Sequence, residues 1–221
     1  MGLGLSREDS RLSGMDLWTR LDRQARALNV LEHPFYTRWS AGALTRDDLA
    51  TYAGEYRHAV VALADATAAA AAAAPDAEER ARLVEHAGEE AAHVELWDRF
   101  ARAVGADVDR DPAPETAACA RVWAGADRSY TGHLAALYAI ESAQPAVAAT
   151  KAAGLREHYG LDTPDATAYF DVHAVRDVEH AAEGRELLAR QVAAADVILP
   201  EAGRVLLANW TLLDGVERVL S

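Results

Sequence analysis

The sequence predicts an all-α protein built as a single bundle of seven to eight helices. Apolar residues recur at the three- and four-residue spacing of a helix along most of the 221 residues. No segment combines sustained polar–apolar alternation with a high content of β-branched residues, the pattern of a half-buried strand. No linker is long enough to divide two domains, so we expect one domain over residues 15–221, preceded by a disordered extension over residues 1–14.

The first half of the chain is predicted to form four helices. Pro34 is favoured in the first turn of a helix, and Thr45 with Asp48 has the spacing of a capping box. Asp76 and Gly105 are residue types that begin and end helices. The predicted helices run from Asp16 to Leu28, over a short stretch after Pro34, from Thr45 through the alanine tract to Pro75, and from about Ala77 to Val104.

The second half is predicted to form three or four more helices. Pro145 lies within an otherwise helical pattern, so we expect a kink there. The predicted helices lie around Ala117–Trp123, from Ser129 to Gly160, from Thr163–Pro164 to about Ala195, and from Pro200 to the end.

Charge and composition exclude several classes of protein. The chain has 35 acidic and 22 basic residues, a net charge of −13, whereas binding to nucleic acid or to anionic lipid needs a positive surface. The single cysteine, Cys119, cannot form an internal disulfide and suits the reducing cytoplasm. No apolar run approaches the ~18 residues of a membrane span, and residues 1–14 lack the apolar core of a signal peptide. We therefore expect a cytoplasmic protein with no nucleic-acid or membrane partner.

The basic residues are 21 arginines and one lysine, Lys151. A general preference for arginine over lysine is typical of a coding bias. The single lysine is then either a chance survivor or a residue that arginine cannot replace, because an amine can lose its proton on burial and a guanidinium cannot.

Three residues near the end of the chain have the spacing of metal ligands. His173, Asp177 and His180 lie at i, i+4 and i+7, on one stripe of a helix over about 10 Å. Asp177 and His180 also have the carboxylate–histidine spacing of di-iron bundles. The alternative is a solvated helix face that happens to contain two histidines.

Two further segments favour the metal-site interpretation. Glu141 follows an apolar segment, where an isolated carboxylate is costly unless it is paired or binds a cation. His93 follows three glutamates, of which Glu89 and Glu90 share its face on a regular helix and Glu85 is rotated by about 80°. Three carboxylates and three histidines suit two divalent ions, and donor atoms without a thiolate favour Fe or Mn.

Five stretches resemble the TenA/PqqC-like proteins of the haem-oxygenase-like fold, and together they extend the similarity over about residues 16–215. They are His33–Thr45, Gly88–Glu90, His93–Trp97, Tyr138–Ser142 and His173–His180. The sequence is most similar to the di-metal oxidase branch, and within it to folate-related proteins typified by the chlamydial "protein associating with death domains".

This resemblance implies a set of metal ligands and a reaction. The ligands are Glu85, His93, Glu141, His173, Asp177 and His180. Compared with the family pattern, the chain has one extra residue between Gly88 and His93, so Glu85 requires a π-bulge to join His93, with Glu89 or Glu90 as the fallback. The implied activity is an oxidase that forms p-aminobenzoate for folate synthesis from its own tyrosine.

The resemblance also implies the other participants. Tyr36 matches the sacrificed side chain, Lys151 the nitrogen source and Tyr169 a further tyrosine at the site. The cofactors are two divalent metal ions (Fe, Mn or both), dioxygen and an external reductant, and we expect a homodimer.

Three alternatives remain open. A TenA-type aminopyrimidine hydrolase needs a cysteine nucleophile in a long helix, whereas Cys119 lies in a short one. A PqqC-like cofactor-free oxidase would act on an external small molecule, and an acidic ligand set without metal would repel an acidic quinone. A non-enzymatic adaptor leaves the inward histidine and carboxylate residues without a purpose.

Overall fold

The computed structural model describes the backbone of residues 7–221 and the side chains from Asp16 onward. This part of the chain forms nine α-helices, two short 3-10 turns and no strand, which confirms the predicted all-α class. The helices are α1 Arg7–Ala27, α2 Pro34–Ser40, α3 Arg46–Ala73, α4 Ala77–Val104, α5 Pro114–Ala124, α6 Tyr130–Glu141, α7 Gln144–His158, α8 Pro164–Ala189 and α9 Ala195–Leu220. None of these helices combines the length and the apolar character that a membrane crossing requires.

Capping residues fix the ends of α3 and α4 where the sequence predicts them. The Thr45 hydroxyl accepts from the backbone N–H of Asp48 at 3.1 Å, and the Asp48 carboxylate accepts from the N–H of Thr45 at 2.9 Å. The Asp76 carboxylate accepts from the N–H of Glu79 at 2.8 Å. Gly105 ends α4 with a φ of +85°, a conformation that favours glycine. Local hydrogen bonds and the conformation of Gly105 therefore determine these three helix boundaries.

The helix predicted over Ser129–Gly160 is two helices in the structure. It breaks at residues 142–143, so that Glu141 is the last residue of α6 and Pro145 lies in the first turn of α7. A proline inside a helix removes one hydrogen bond and clashes with the preceding turn, whereas in the first turn it costs nothing. Because Lys151 lies in α7 and Glu141 ends α6, the directions of their two side chains are not related by the ~100° per residue of a single helix.

Helix boundaries also differ from the predicted ones at the start of α1 and between α8 and α9. Helix α1 begins at Arg7, inside the segment predicted to be an extension, and residues 1–6 lie outside the described part. Helix α8 ends at Ala189, and α9 begins at Ala195 and continues through Pro200. Burial of Ile198 and Leu199 near the start of α9 outweighs the one hydrogen bond that Pro200 cannot donate.

The helices pack so that α4, α6 and α8 enclose one region of the core. Helix α3 packs along α4 and also contacts α5 and α6, while α8 contacts α4, α6 and α7. Helix α9 packs against α1, α5 and α6 and completes the bundle. The aromatic core includes Trp39, Trp97 and Trp123, each at most 1% exposed. The candidate site lies where α4, α6 and α8 meet.

Candidate metal centre

Seven ionisable side chains are buried together between α4, α6 and α8. Each is at most 8% exposed, although such residues are rarely buried unless they are paired or bind a metal. The same helical spacing, i, i+4 and i+7, places three of them on α4 and three on α8, and α6 contributes one. They are His86, Glu90 and His93 on α4, Glu141 on α6, and His173, Asp177 and His180 on α8.

Two histidine pairs show how α4 and α8 face each other. The ring centres of His86 and His180 are 3.8 Å apart, and those of His93 and His173 are 4.5 Å apart. Residue numbers rise along one helix as they fall along the other, so the two helices are antiparallel. Two identical spacings on antiparallel helices therefore form two facing rows of donor atoms.

The donor atoms form two groups that share Glu90. The outer group is His86, Glu90 and His180, and the inner group is Glu90, His93 and His173; within each group one donor atom per residue lies within 4.8 Å of the others. One Glu90 oxygen lies 3.2 Å from His93 Nδ1 and 3.9 Å from His86 Nε2, and the other lies 3.8 Å from His173 Nε2. A carboxylate in this position can serve both groups.

Glu141 and Asp177 add negative charge to the two groups. Glu141 Oε1 lies 3.2 Å from His86 Nε2, and Asp177 Oδ1 lies 3.5 Å from His180 Nδ1. Glu141 ends α6, where the helix dipole disfavours a carboxylate, so its position depends on a neighbouring positive charge. Both residues are therefore placed where a cation would stabilise them.

Most of the donor atoms that face each other have no hydrogen-bond partner. The unpartnered atoms are His86 Nε2, one oxygen each of Glu90 and Glu141, His173 Nε2, both oxygens of Asp177, and His180 Nδ1. A buried polar atom without a partner costs about 1–3 kcal/mol, and seven in one place would be a large penalty. Metal coordination would use these lone pairs, so the residues fit two divalent ions.

The hydrogen bond of His173 determines which of its nitrogens faces the cluster. Nδ1 lies 2.7 Å from the backbone carbonyl oxygen of Tyr169. Because a carbonyl can only accept, Nδ1 carries the hydrogen and Nε2 presents its lone pair to the cluster. An outer partner of this kind commonly orients a metal-binding histidine.

Charges within the cluster shift the pKa values of its members. Burial opposes protonation of His86, but the Glu141 and Glu90 carboxylates outweigh burial and raise the His86 pKa to about 9. Burial opposes ionisation of Glu90, but His173 and His93 lower its pKa far below the ordinary value. In the absence of metal, protonated His86 and ionised Glu90 are therefore favoured, and metal binding would displace the proton from His86.

The structure corrects the placement of Glu85 beside His93. Helix α4 is a continuous α-helix from Ala77 to Val104, without the π-bulge that Glu85 would need, and the Glu85 side chain is exposed. The glutamate that lies in the cluster is Glu90, one of the two fallbacks. Glu89 lies at the rim of the cluster, where it contacts His180.

His86 is the site residue that the sequence interpretation missed. It is seven residues before His93, and so shares its face, whereas Glu85 is eight residues before it. The sequence does contain a pattern that indicates His86, because His86, Glu90 and His93 repeat the spacing of His173, Asp177 and His180. The other predicted ligands, His93, Glu141, His173, Asp177 and His180, are all brought together in the cluster.

Lys151 lies in a cage of aromatic rings. Its side chain is 1% exposed, and its amine lies 4.5–5.6 Å from the centres of five rings: Tyr36, Tyr52, Tyr56, Trp97 and Phe170. Among the described residues no carboxylate lies within ion-pair distance of this amine. Burial lowers the Lys151 pKa well below its ordinary value, which favours the neutral, nucleophilic amine.

The three predicted catalytic residues lie along one path from the inner group into this cage. The Tyr169 ring stacks on His173 with centres 4.0 Å apart and packs edge-on against Trp97 at 4.8 Å. Trp97 packs against the Tyr52 ring at 6.0 Å, and the hydroxyls of Tyr52 and Tyr36 are 3.0 Å apart. Burial raises the pKa of Tyr36 well above its ordinary value, so its phenol is neutral.

A surface groove borders the outer group on the side away from the cage. Its volume is about 240 Å³, and its lining includes both histidines of the outer group. The remaining lining residues are charged: Arg82, Glu85, Glu89, Arg176, Glu179 and Glu183. The outer group is therefore the part of the cluster nearest to this groove.

The sequence is similar to known proteins along most of its length. Residues 50–213 match a family described as iron-containing redox enzyme. The chain is 34% identical over 194 residues to a 4-aminobenzoate synthase of Chlamydia muridarum, covering 83% of this chain and 82% of that protein. It is 31% identical over 221 residues to a 4-aminobenzoate synthase of Nitrosomonas europaea, covering 90% and 89%.

Solved structures share the fold at lower identity. A TenA homologue from Pseudomonas syringae superposes with a TM-score of 0.79 at 17% identity, covering 92% of both chains. A domain with a haem-oxygenase-like fold from Shewanella denitrificans superposes with a TM-score of 0.77 at 20% identity, covering 93% of this chain and 92% of that chain.

Proposed function

The chain belongs to the haem-oxygenase-like family of iron-containing redox enzymes, and on that premise we propose that it forms 4-aminobenzoate from one of its own tyrosines. Family membership makes it an oxidoreductase. The finer assignment is supported by the names of the relatives and by the placement of Lys151 and Tyr36 beside a cluster suited to two metal ions.

One observation carries the proposal: a buried amine and a buried phenol share a cage next to the cluster of candidate metal ligands. The Lys151 amine lies 5.3 Å from the centre of the Tyr36 ring. Converting a tyrosine side chain into 4-aminobenzoate with nitrogen from Lys151 requires cleavage of the Cα–Cβ bond and oxidation of Cβ to a carboxylate, with dioxygen as the oxidant. It also requires formation of a bond from Nζ to the ring, loss of the phenol oxygen as water and oxidative cleavage of the Lys151 Cε–Nζ bond. The cage supplies the ring and the nitrogen, and it excludes water from both.

The residues that would hold two metal ions follow from the two groups. His86, His180 and Glu141 would bind one ion and His93 and His173 the other, with Glu90 between them and Asp177 beside His180. When Fe or Mn is bound there, the pair supplies the reduction of dioxygen that the oxidation requires. Nitrogen and oxygen donors without thiolate suit both metals.

The protein side chains have separate tasks in this reaction. The aromatic cage lowers the Lys151 pKa and so favours the unprotonated amine, whose lone pair is available to the ring carbon. Tyr52 holds the Tyr36 hydroxyl through the 3.0 Å contact. Tyr169 lies between the inner group and the cage, where it stacks on His173. The external reductant and the homodimer stay predictions; light scattering in solution measures the latter.

Three phenol rings surround the amine, so the sacrificed residue has to be identified directly. The experiment is intact-mass measurement before and after aerobic incubation with Fe(II), Mn(II) and a reductant, followed by peptide mapping. We expect at most one 4-aminobenzoate per chain, with the ring lost at Tyr36 and a change at Lys151. Loss of the ring at Tyr52 or Tyr56 would identify that residue, and not Tyr36, as the sacrificed tyrosine. Repeated turnover with unchanged mass would instead show an external substrate.

A further inference from the structure

We propose that Glu89 is a positioning residue that orients His180 toward the outer group and that Arg176 fixes Glu89 in this role. The inference rests on the proposed metal centre. It assigns a function to a carboxylate that does not face the cluster and that is part of the rim of the surface groove.

The first observation is the hydrogen bond between His180 and Glu89. His180 Nε2 lies 3.0 Å from Glu89 Oε2. An ionised carboxylate only accepts, so Nε2 carries the hydrogen and Nδ1 presents its lone pair to the cluster. Nδ1 is buried, has no hydrogen-bond partner and lies 3.5 Å from Asp177 Oδ1. In the metal-free protein a proton on Nδ1 can bridge these two atoms, and a metal ion bound by them would replace it.

The second observation is that Glu89 is itself held in place. The Arg176 guanidinium donates to both Glu89 oxygens, at 3.3 Å from Nε to Oε2 and through Nη2 to Oε1. Arg176 lies one turn before His180 on α8, so the ion pair ties α4 to α8 at this end of the cluster. Because both Glu89 oxygens accept hydrogen bonds from Arg176, Glu89 is an acceptor toward His180 as well.

The outer and inner groups differ in this respect. The outer nitrogen of His173 donates to a neutral backbone carbonyl, whereas that of His180 donates to a carboxylate. An anionic partner makes an imidazole a stronger electron-pair donor, and removing such a partner costs about 10–100-fold in metal affinity. The effect of Glu89 is therefore expected at the outer ion and not at the inner one.

The test is a titration with Co(II), whose visible absorption reports coordination without any catalytic turnover. The variants are Glu89→Gln and, as a matched control, Glu85→Gln, which removes a carboxylate one turn away on the same helix and in the same groove. We expect two Co(II) ions in the wild type and in both variants. In Glu89→Gln one of the two should bind about 10–100-fold more weakly, and Glu85→Gln should match the wild type.

A second readout separates positioning from general stability. In the Co(II)-loaded protein, ring N–H protons of bound histidines give shifted proton resonances that exchange with water. The His180 N–H signal should be present in the wild type and in Glu85→Gln, and lost by fast exchange in Glu89→Ala. Thermal unfolding of the metal-free variants verifies that they fold. Arg176→Gln should lower the affinity for the same Co(II) ion by a smaller factor than Glu89→Gln does.

Two results would overturn the proposal. Equal Co(II) affinities in Glu89→Gln and wild type would reduce Glu89 to a surface ion pair. Loss of one whole equivalent at saturating Co(II) would make Glu89 a direct ligand. A protein that shows the expected cobalt behaviour and yet forms no 4-aminobenzoate would contradict the proposed reaction and leave the role of Glu89 standing.

Discussion

At the scale of single residues, Lys151 shows what burial does to an ionisable group. The side chain is 1% exposed and is surrounded by rings, so the protonated amine loses its hydration without gaining a carboxylate. The same burial that makes the amine nucleophilic also opposes folding at neutral pH. A function at Lys151 is therefore expected to oppose stability, as at many catalytic sites.

Replacing Lys151 separates these two effects. Lys151→Met, of similar length, should abolish 4-aminobenzoate formation and raise the free energy of unfolding at pH 7 by on the order of 1 kcal/mol or more. Lys151→Arg should also abolish the product, because a guanidinium stays charged. Denaturant unfolding and product quantification measure both. Full product formation by Lys151→Arg would show that the reaction does not need a lysine at this position.

The pH dependence follows from the direction of the Lys151 pKa shift. Burial lowers the pKa in the folded state, whereas in the unfolded chain it is about 10.4. Between the two values the unfolded state binds more protons, so this residue makes unfolding less favourable as pH rises toward 10.4. The stability advantage of Lys151→Met should therefore shrink as pH increases over that range, as measured by denaturant unfolding at several pH values.

Tyr36 offers a second test at this scale. Tyr36→Phe removes the hydroxyl that contacts Tyr52 and should cost about 0.5–1.5 kcal/mol of stability. Because phenylalanine has no phenol oxygen to be replaced by nitrogen, product should be absent while metal binding is unchanged. Product formation at the wild-type level by Tyr36→Phe would show that Tyr36 is not the sacrificed residue.

At the scale of helices, the phase of α4 decides which glutamate joins the cluster. A regular helix brings His86, Glu90 and His93 to one face and leaves Glu85 exposed. When the chain is aligned with the family pattern, allowing for its one extra residue between Gly88 and His93, the alignment indicates Glu85 as the ligand. The continuous helix favours Glu90 instead. Backbone hydrogen bonding along α4 thus outweighs the motif alignment.

Gly88 tests this regular phase. It lies in the middle of α4, is exposed, and a Cβ added to it would meet no atom within 4 Å. Gly88→Ala should therefore raise the free energy of unfolding by about 0.5–1 kcal/mol, through helix propensity, and leave Co(II) binding unchanged. Weaker cobalt binding in Gly88→Ala would indicate a local distortion of α4 that glycine permits.

At the scale of the whole molecule, the cluster leaves buried donor atoms unpaired in the centre of the bundle, so the metal-free protein carries a penalty that bound ions would relieve. Each occupied site should stabilise the fold by about 2.7 kcal/mol at a free metal concentration of 100 Kd, and in a chain of this size about 1 kcal/mol corresponds to 2–4 °C. We expect Mn(II) to raise the unfolding temperature by roughly 10 °C or more.

This prediction is measured by calorimetry with and without a chelator. His173→Ala, which removes an inner-group ligand, should lose a large part of the increase. The matched control is Glu183→Gln, which removes an exposed carboxylate from the surface groove beside the outer group. This variant should retain the increase in unfolding temperature. An equal increase in all three proteins would place the bound ions outside the cluster.

The sequence by itself determined the helical class and most helix ends, because helical periodicity and the caps at Thr45, Asp76 and Gly105 act within a few residues. It also indicated His173, Asp177 and His180, whose spacing lies within one helix. Only the tertiary structure showed that the face of α4 with His86 and Glu90 is buried in the cluster while Glu85 is exposed, and only it revealed the aromatic cage around Lys151. Those features depend on which face of each helix meets another helix, and packing across distant parts of the chain fixes that.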